Sequence, residues 1–291
     1  MNRPVMITGA AGQLGYELQR TAPTGTRLCA VDIAELDLTD ADAVEAFVGA
    51  NRPATIINCA AYTAVDRAES EPKAAHAVNV RAAEILARAA QGHGARVIQI
   101  STDFVFSGAA ARPWRPDDAT APLSVYGTTK RDGEDVIRAT LGDRALVIRT
   151  AWLYSANGGN FVKTMLRVMR EREEVRVIAD QVGTPTWANS LARTLWTAVA
   201  KPGVSGTLHW TDAGVASWYD FAVAIQEEAL TRGMLDRAIP IHAIPTSAYP
   251  TPAARPSYSV LDKTDATRLL GEEPAHWRVN LRHMLDEVRD A

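Results

Sequence analysis

The first half of the chain alternates short apolar runs with amphipathic stretches. Residues 5–8, 27–32, 55–58, 96–101 and 145–150 are near-continuous runs rich in β-branched and aliphatic side chains. Between them, residues 13–21, 40–50, 74–91 and 124–140 carry apolar positions at helical spacing. Strands apolar on both faces and separated by helices predict a parallel sheet covered on each side. Because such crossovers are right-handed, the expected class is α/β, a doubly wound Rossmann sheet.

The texture changes after Thr150. Loops lengthen and proline recurs at 185, 202, 240, 245, 250, 252 and 256. Helices are still legible at 160–172, 188–200, 217–231 and 277–289, with short strands near 175–178 and 206–210. The pattern predicts a dinucleotide-binding domain over residues 1–150. Residues 151–291 are expected to form mainly a smaller α/β substrate-binding lobe, with parts of the later chain free to return to the sheet. The proline-rich stretch 249–256 reads as a rigid loop, because each proline fixes its own φ.

Composition narrows the field little. The chain has 291 residues, 47% hydrophobic and 22% charged, with a net charge of −3. The interspersed charges mark neither a nucleic-acid nor a membrane partner, and no apolar run approaches a membrane span. Cys29 and Cys59 each sit in an apolar run without metal or disulfide spacing, so both are expected as buried thiols in a reducing, cytosolic protein. The six histidines form no metal pattern.

The candidate chemistry begins at the first strand–helix junction. Gly9-Ala10-Ala11-Gly12-Gln13-Leu14-Gly15 follows the first strand and opens a helix. Glycines there allow a tight turn and close approach of backbone to a pyrophosphate, which meets the free N–H groups of the helix start. Asp32, at the end of the second strand, can accept from adenosine ribose hydroxyls. Its charge would repel a 2′-phosphate and favours NADH over NADPH, unless Arg3 or Arg27 lies beside it. Asp37 and Leu38 can flank the adenine, and Thr39 or Asp40 can cap the next helix. Small residues after the third strand, around Ala61, Tyr62 and Thr63, admit the cofactor closely.

Tyr126 and Lys130 form Y-x-x-x-K at a helix start, so both point from one helix face. A neighbouring ammonium should lower the phenol pKa and let Tyr126 pass a proton to a carbonyl oxygen. Lys130 can also bind a cofactor ribose. Thr102 ends the fourth strand, where ligands of open α/β sheets bind, and can donate to a developing oxyanion. Ser101 should point the other way by strand alternation.

These residues, Gly9 to Gly15 with Thr102, Tyr126 and Lys130, resemble the extended short-chain dehydrogenase/reductase superfamily. The runs Gly12-Gln13-Leu14-Gly15-Tyr16-Glu17-Leu18, Asn58-Cys59-Ala60-Ala61-Tyr62-Thr63, Ser101-Thr102-Asp103-Phe104-Val105-Phe106 and Asp180-Gln181-Val182-Gly183-Thr184-Pro185 resemble the dTDP-4-dehydrorhamnose reductases within it. The resemblance implies hydride transfer from NADPH or NADH to the C4 ketone of a dTDP-6-deoxy-4-keto sugar, as in dTDP-rhamnose biosynthesis. By the same resemblance Tyr126 is the proton donor, Lys130 orients the ribose, Thr102 holds the sugar oxygen, and Asp103 and Trp152 line the substrate pocket. Arg255 is a candidate for the diphosphate by its charge. Some members carry Mg²⁺ between the subunits of a homodimer. Glu17 matches one such ligand, but Asn189 stands where a second carboxylate is expected. The same scaffold serves epimerases and dehydratases, but the Thr-Asp-Glu of a dehydratase is absent, because Phe104 follows Asp103. The same residues also admit a related deoxysugar 4-ketoreductase or a non-catalytic NADP-binding regulatory subunit.

Overall fold

Strand β1 (Val5–Thr8) is buried at all four positions, as a strand between two neighbours and two helical layers must be. The structure, a computed structural model, describes residues 3–290. The chain continues through α1 (Gln13–Arg20), β2 (Leu28–Val31), α2 (Ala41–Asn51) and β3 (Thr55–Asn58). Asp40 caps α2 by accepting from the N–H groups of Asp42 and Ala43. Next come α3 (Val65–Ser70), α4 (Pro72–His76), a π-helical turn over Ala77–Arg81 and α5 (Ala82–Gly92). Then follow β4 (Arg96–Thr102), a 3-10 turn over Asp103–Val105, α6 (Val125–Leu141) and β5 (Ala145–Thr150).

The later chain supplies β6 (Leu153–Tyr154), α7 (Phe161–Glu171), β7 (Val175–Ile178), β8 (Val182–Gly183), β9 (Thr186–Trp187) and α8 (Ala188–Ala200). It ends with β10 (Gly206–His209), β11 (Ala216–Ser217), α9 (Trp218–Thr231), β12 (Ile241–Ile244), α10 (Thr264–Leu270) and α11 (Trp277–Arg289). The main sheet has six parallel strands in the order β10-β5-β4-β3-β1-β2. The chain order reverses beside β1, and a doubly wound sheet binds its ligand at such a switch point. The strand expected near 206–210 thus belongs to this sheet, paired with β5, and α8 packs on α1. The lobe keeps only two-stranded pairs: β7 with β12, β8 with β11, and β6 with β9.

Two apolar layers flank the sheet. One joins Ile7, Leu18, Ile98 and Ile148 to Leu191 and Leu195 of α8. The other joins Met6, Ile56 and Val97 to α2 and α5 through Val44, Val48 and Leu86. The lobe has its own aromatic core, with Tyr154, Phe221 and Trp277 buried. Cys29 and Cys59, expected as buried thiols, are unpaired and half-buried. Among the described residues no helix is long and apolar enough to cross a membrane.

Candidate functional site

The turn from β1 to α1 is built for backbone contact. Gly9 sits at φ 66°, where a Cβ would lie 2.8 Å from the Ala60 nitrogen; a Cβ on Gly15 would lie 2.2 Å from the Gly9 oxygen. The loop therefore hugs both its own helix and the end of β3. Asp32 braces it by accepting from the Ala11 N–H at 2.8 Å, while its other oxygen accepts from the Ile33 N–H. Arg3 and Arg27, weighed as cations for this end, belong to the opposite end of the strands. Arg3 donates to the carbonyls of Arg52, Pro53 and His93, and Arg27 precedes β2 whereas Asp32 follows it. Asp37 accepts from the backbone and hydroxyl of Thr39, which holds its carboxyl below the usual range.

One cleft of about 1010 Å³ runs along the carboxyl ends of the strands. It brings together Gly9, Gly12, Gln13, Leu14, Gly15, Asp32, Asp37, Leu38, Ala61, Tyr62 and Thr63 with Thr102, Asp103, Tyr126, Lys130, Trp152 and Arg255. Glu17 is not among its lining residues. The glycine cradle and the adjoining start of α1 suit a dinucleotide's pyrophosphate.

Tyr126 and Lys130 lie in the first turns of α6, whose start is fixed by Ser124 accepting from the Gly127 N–H at 3.1 Å. Gly127 lets the helix meet the turn after β4, since a Cβ there would lie 2.2 Å from the Phe104 oxygen. The Tyr126 phenol and Thr102 line the same part of the cleft. The electrostatics differ from the sequence expectation. Burial pushes Tyr126 up to about 12, with the Asp103 charge adding to it, so the phenol is not lowered. Lys130 instead donates to the Ile100 carbonyl at 2.7 Å. Its own burial pushes it down to about 8, against the pull of Glu134. The i, i+4 spacing put both groups on one face, but desolvation is the largest influence on each and neither is among the groups that shift the other.

Asp103 is 2% exposed. One oxygen accepts from the Thr102 hydroxyl at 3.0 Å and the other has no partner. Burial pushes this carboxyl up to about 6. Trp152 holds a left-handed backbone at φ 47°, a strained conformation for a bulky residue. Its ring stacks on Trp218 with centroids 3.6 Å apart. Arg255 is gripped by Asp66 through both guanidinium ends, at 2.9 and 2.8 Å. The fork expected to meet a diphosphate thus already holds a carboxylate, tying the proline-rich loop to α3.

Glu17 departs from its expected role. It is fully buried, and its oxygens accept from Ser155, Asn189 and Arg20 at 2.8, 2.8 and 2.9 Å. Asn189, which replaced the expected carboxylate, is itself one of these donors. A carboxylate so filled by protein donors offers Mg²⁺ nothing, and the described residues contain no group of three or more His, Cys, Asp or Glu that could hold a metal.

The structure adds residues that the sequence did not point to. Trp218 and Asn160 line the cleft, and Asn160 ties the start of α7 to the glycine loop by donating to the Gln13 side chain at 3.0 Å. Asn79, in the π-helical turn, accepts from the Tyr62 N–H at 2.9 Å and donates to Thr129 at 3.0 Å, linking the cofactor loop to α6. A π turn was the available signal, but it leaves no distinct spacing in sequence.

The family model described as the RmlD substrate binding domain matches residues 2–290. The dTDP-4-dehydrorhamnose reductase of Escherichia coli strain K12 is 42% identical over 98% of this chain and 97% of its own. A probable dTDP-4,6-dihydroxy-2-methyloxan-3-one 4-ketoreductase from Streptomyces antibioticus is also 42% identical, over 97% and 95%. The crystal structure of a dTDP-4-dehydrorhamnose reductase from Bacillus anthracis, in complex with NADP, superposes with a TM-score of 0.92. It is 35% identical and covers 99% of this chain and 100% of its own.

Proposed function

The chain belongs to the RmlD substrate binding domain family, and from that premise we propose that it is a nicotinamide-dependent reductase of the C4 ketone of dTDP-4-dehydrorhamnose, yielding dTDP-rhamnose. The single observation that carries the reading is that Thr102, Tyr126 and, one helical turn on, Lys130 line one cleft with the glycine cradle. A reduced nicotinamide bound there supplies the hydride.

The rest is the work of this chain. Gly9, Gly12 and Gly15 with the start of α1 take the pyrophosphate. A phenol held near 12 keeps its proton at neutral pH, so Tyr126 arrives as the acid that a reduction needs. Lys130, bonded to the Ile100 carbonyl in the same cleft, would hold the ribose of the bound nucleotide. Thr102 donates to the ketone oxygen as negative charge develops. The Trp152–Trp218 stack offers a flat wall to the apolar face of the sugar. The Mg²⁺-bridged homodimer forms no part of this reading, since Glu17 is committed inside one chain. The proposed setting is the cytosol.

The test is consumption of NADH or NADPH with dTDP-4-dehydrorhamnose, wild type beside Tyr126→Phe, with the product identified. Turnover to dTDP-rhamnose and a loss of about 10²–10⁴ in kcat for the variant is the expected result. A wild type that consumes neither cofactor sinks the reading. The Streptomyces antibioticus relative favours one second reading, a related deoxysugar 4-ketoreductase. Turnover of such a sugar in preference to dTDP-4-dehydrorhamnose would select it.

A further inference from the structure

Thr102 has one hydrogen to give, as every threonine hydroxyl does, and it is given to Asp103 at 3.0 Å. The same oxygen accepts from the Phe104 N–H at 3.2 Å. With its hydrogen directed at a carboxylate, Thr102 has none left for another acceptor. In this state the Thr102 hydroxyl is not available to a ketone, because it points to Asp103. The arrangement is locked as long as Asp103 is an anion, because a carboxylate only accepts.

Asp103 is not a settled anion. It is 2% exposed, its Oδ2 has no hydrogen-bond partner, and it lies on the cleft wall. A buried charge with an idle oxygen is costly, and the usual relief is protonation. Once protonated, the acid becomes a donor. It can give its hydrogen to the Thr102 oxygen and release the Thr102 hydrogen to turn elsewhere.

We propose that Asp103 is a positioning residue for the reductase reaction, whose protonation reverses its hydrogen bond with Thr102 and frees the Thr102 hydroxyl to point, beside Tyr126, at the ketone oxygen. The inference rests on the reductase reading and deepens it. The proton is taken up from solvent in the cleft and stays on Asp103, while the proton transferred to the ketone comes from Tyr126.

The groups around Asp103 fit this role. Burial pushes its carboxyl up to about 6, against the pull of the nearby Ser259 and Thr102 hydroxyls and the Asp103 and Phe104 N–H groups, none of which is bonded to Oδ2. From α6 the titratable neighbour is Tyr126. Lys130 and Arg255, the cations lining the cleft, are not among the groups that shift it. A carboxyl raised in this way is neutral below its pKa and charged above it, so the productive arrangement belongs to the acid side.

The experiment is kcat against pH from about 5 to 8 for the wild type, Asp103→Asn and Thr102→Val, with an infrared titration of the carboxyl bands of wild type and Asp103→Asn. The wild type is expected to lose activity as pH rises through an inflection at or above 6, approaching about tenfold per unit. Asp103→Asn, which can still donate to Thr102, should lack the inflection, and so should the weak residual activity of Thr102→Val, which has no hydroxyl to turn. A carboxyl band that titrates in the wild type and is missing from Asp103→Asn is the expected companion. Profiles of equal shape in wild type and Asp103→Asn would overturn the inference, and so would a wild type with no such band. A wild type that turns over nothing sinks the reductase reading itself, which is a separate failure.

Discussion

Ser101 and Thr102 are neighbours at the end of β4, yet they lead into two different kinds of polar interior. Behind Ser101 every group is satisfied. Ser101 donates to Glu134, Arg149 grips both Glu134 oxygens at 2.9 and 2.7 Å, and Arg138 adds a bond at 3.2 Å. His209 sets one nitrogen against the Trp114 carbonyl at 3.0 Å and the other toward Arg149 at 3.5 Å. In front of Thr102 the accounts stay open, with an idle oxygen on Asp103 and an unpartnered hydroxyl on Thr150. Both clusters are buried and both contain a carboxylate. The saturated one holds the helix of Tyr126 and Lys130 against the sheet. The unsaturated one faces the cleft, where an unmet hydrogen bond is a place for a ligand.

The largest contrast should come from making the same change in both clusters. Glu134→Gln leaves Arg149 buried without a counter-charge, and is expected to cost about 3–5 kcal/mol in urea unfolding. Replacing the pair together, Glu134→Leu with Arg149→Met, should recover most of that loss. Asp103→Asn removes a desolvated charge that has no ion-pair partner, and at pH 8 should leave the urea midpoint unchanged or higher. Equal losses for the two amides would mean that the two clusters do not differ in kind.

A second, smaller contrast lies in the response to acid. Burial and the Arg149 charge push His209 down to about 3, against an unfolded value of about 6.5. Its contribution is complete above that unfolded value and is lost as pH falls toward 3. Asp103 runs the other way. With a folded value of about 6 and an unfolded value of about 3.9, its contribution is complete at low pH and lost as pH rises through 6. Each unit of separation is worth about 1.4 kcal/mol at most. Urea midpoints between pH 4 and 6 should therefore fall less steeply in His209→Gln than in wild type, and more steeply in Asp103→Asn. The same slope in all three would remove His209 and Asp103 as the groups responsible.

The sequence made the front of the cleft legible and left the back dark, for a physical reason. Gly9 to Gly15 and the Tyr126–Lys130 pair are local signals, each confined to one turn or one helix start, and their spacing implies their geometry. The Glu134 brace joins residues on β4, α6 and β5 that no local period connects. Glu17 likewise meets Ser155 and Asn189 across 138 and 172 residues, so its place in the interior was invisible, and a metal ligand between two subunits was the expectation instead. The strand Gly206–His209 reads like any short edge strand, and only its pairing with β5 places it in the main sheet. The Tyr126 electrostatics failed for a related reason. Spacing shows which charges share a face, but not how dry that face is.

Asp32 lies between the two extremes and tests the comparison most gently. It is half-buried, and both of its oxygens accept from backbone N–H groups, yet it lines the open cleft. If those two bonds were its whole purpose, it would belong with the saturated cluster, and its charge would not matter to a ligand. Its surroundings argue otherwise. Glu35 accepts from the Asp32 N–H, Asp37 lines the same cleft, Lys130 is bonded to Ile100, and Arg255 is bonded to Asp66. A 2′-phosphate there would meet carboxylates and, among the described residues lining the cleft, no uncommitted cation. Asp32→Asn keeps an oxygen for the Ala11 N–H and removes the charge. It should raise the ratio of kcat/KM with NADPH to that with NADH by about tenfold, roughly 1.4 kcal/mol, with kcat in NADH little changed. A ratio that does not move would place Asp32 with Glu134, as a carboxylate whose work is finished inside the protein.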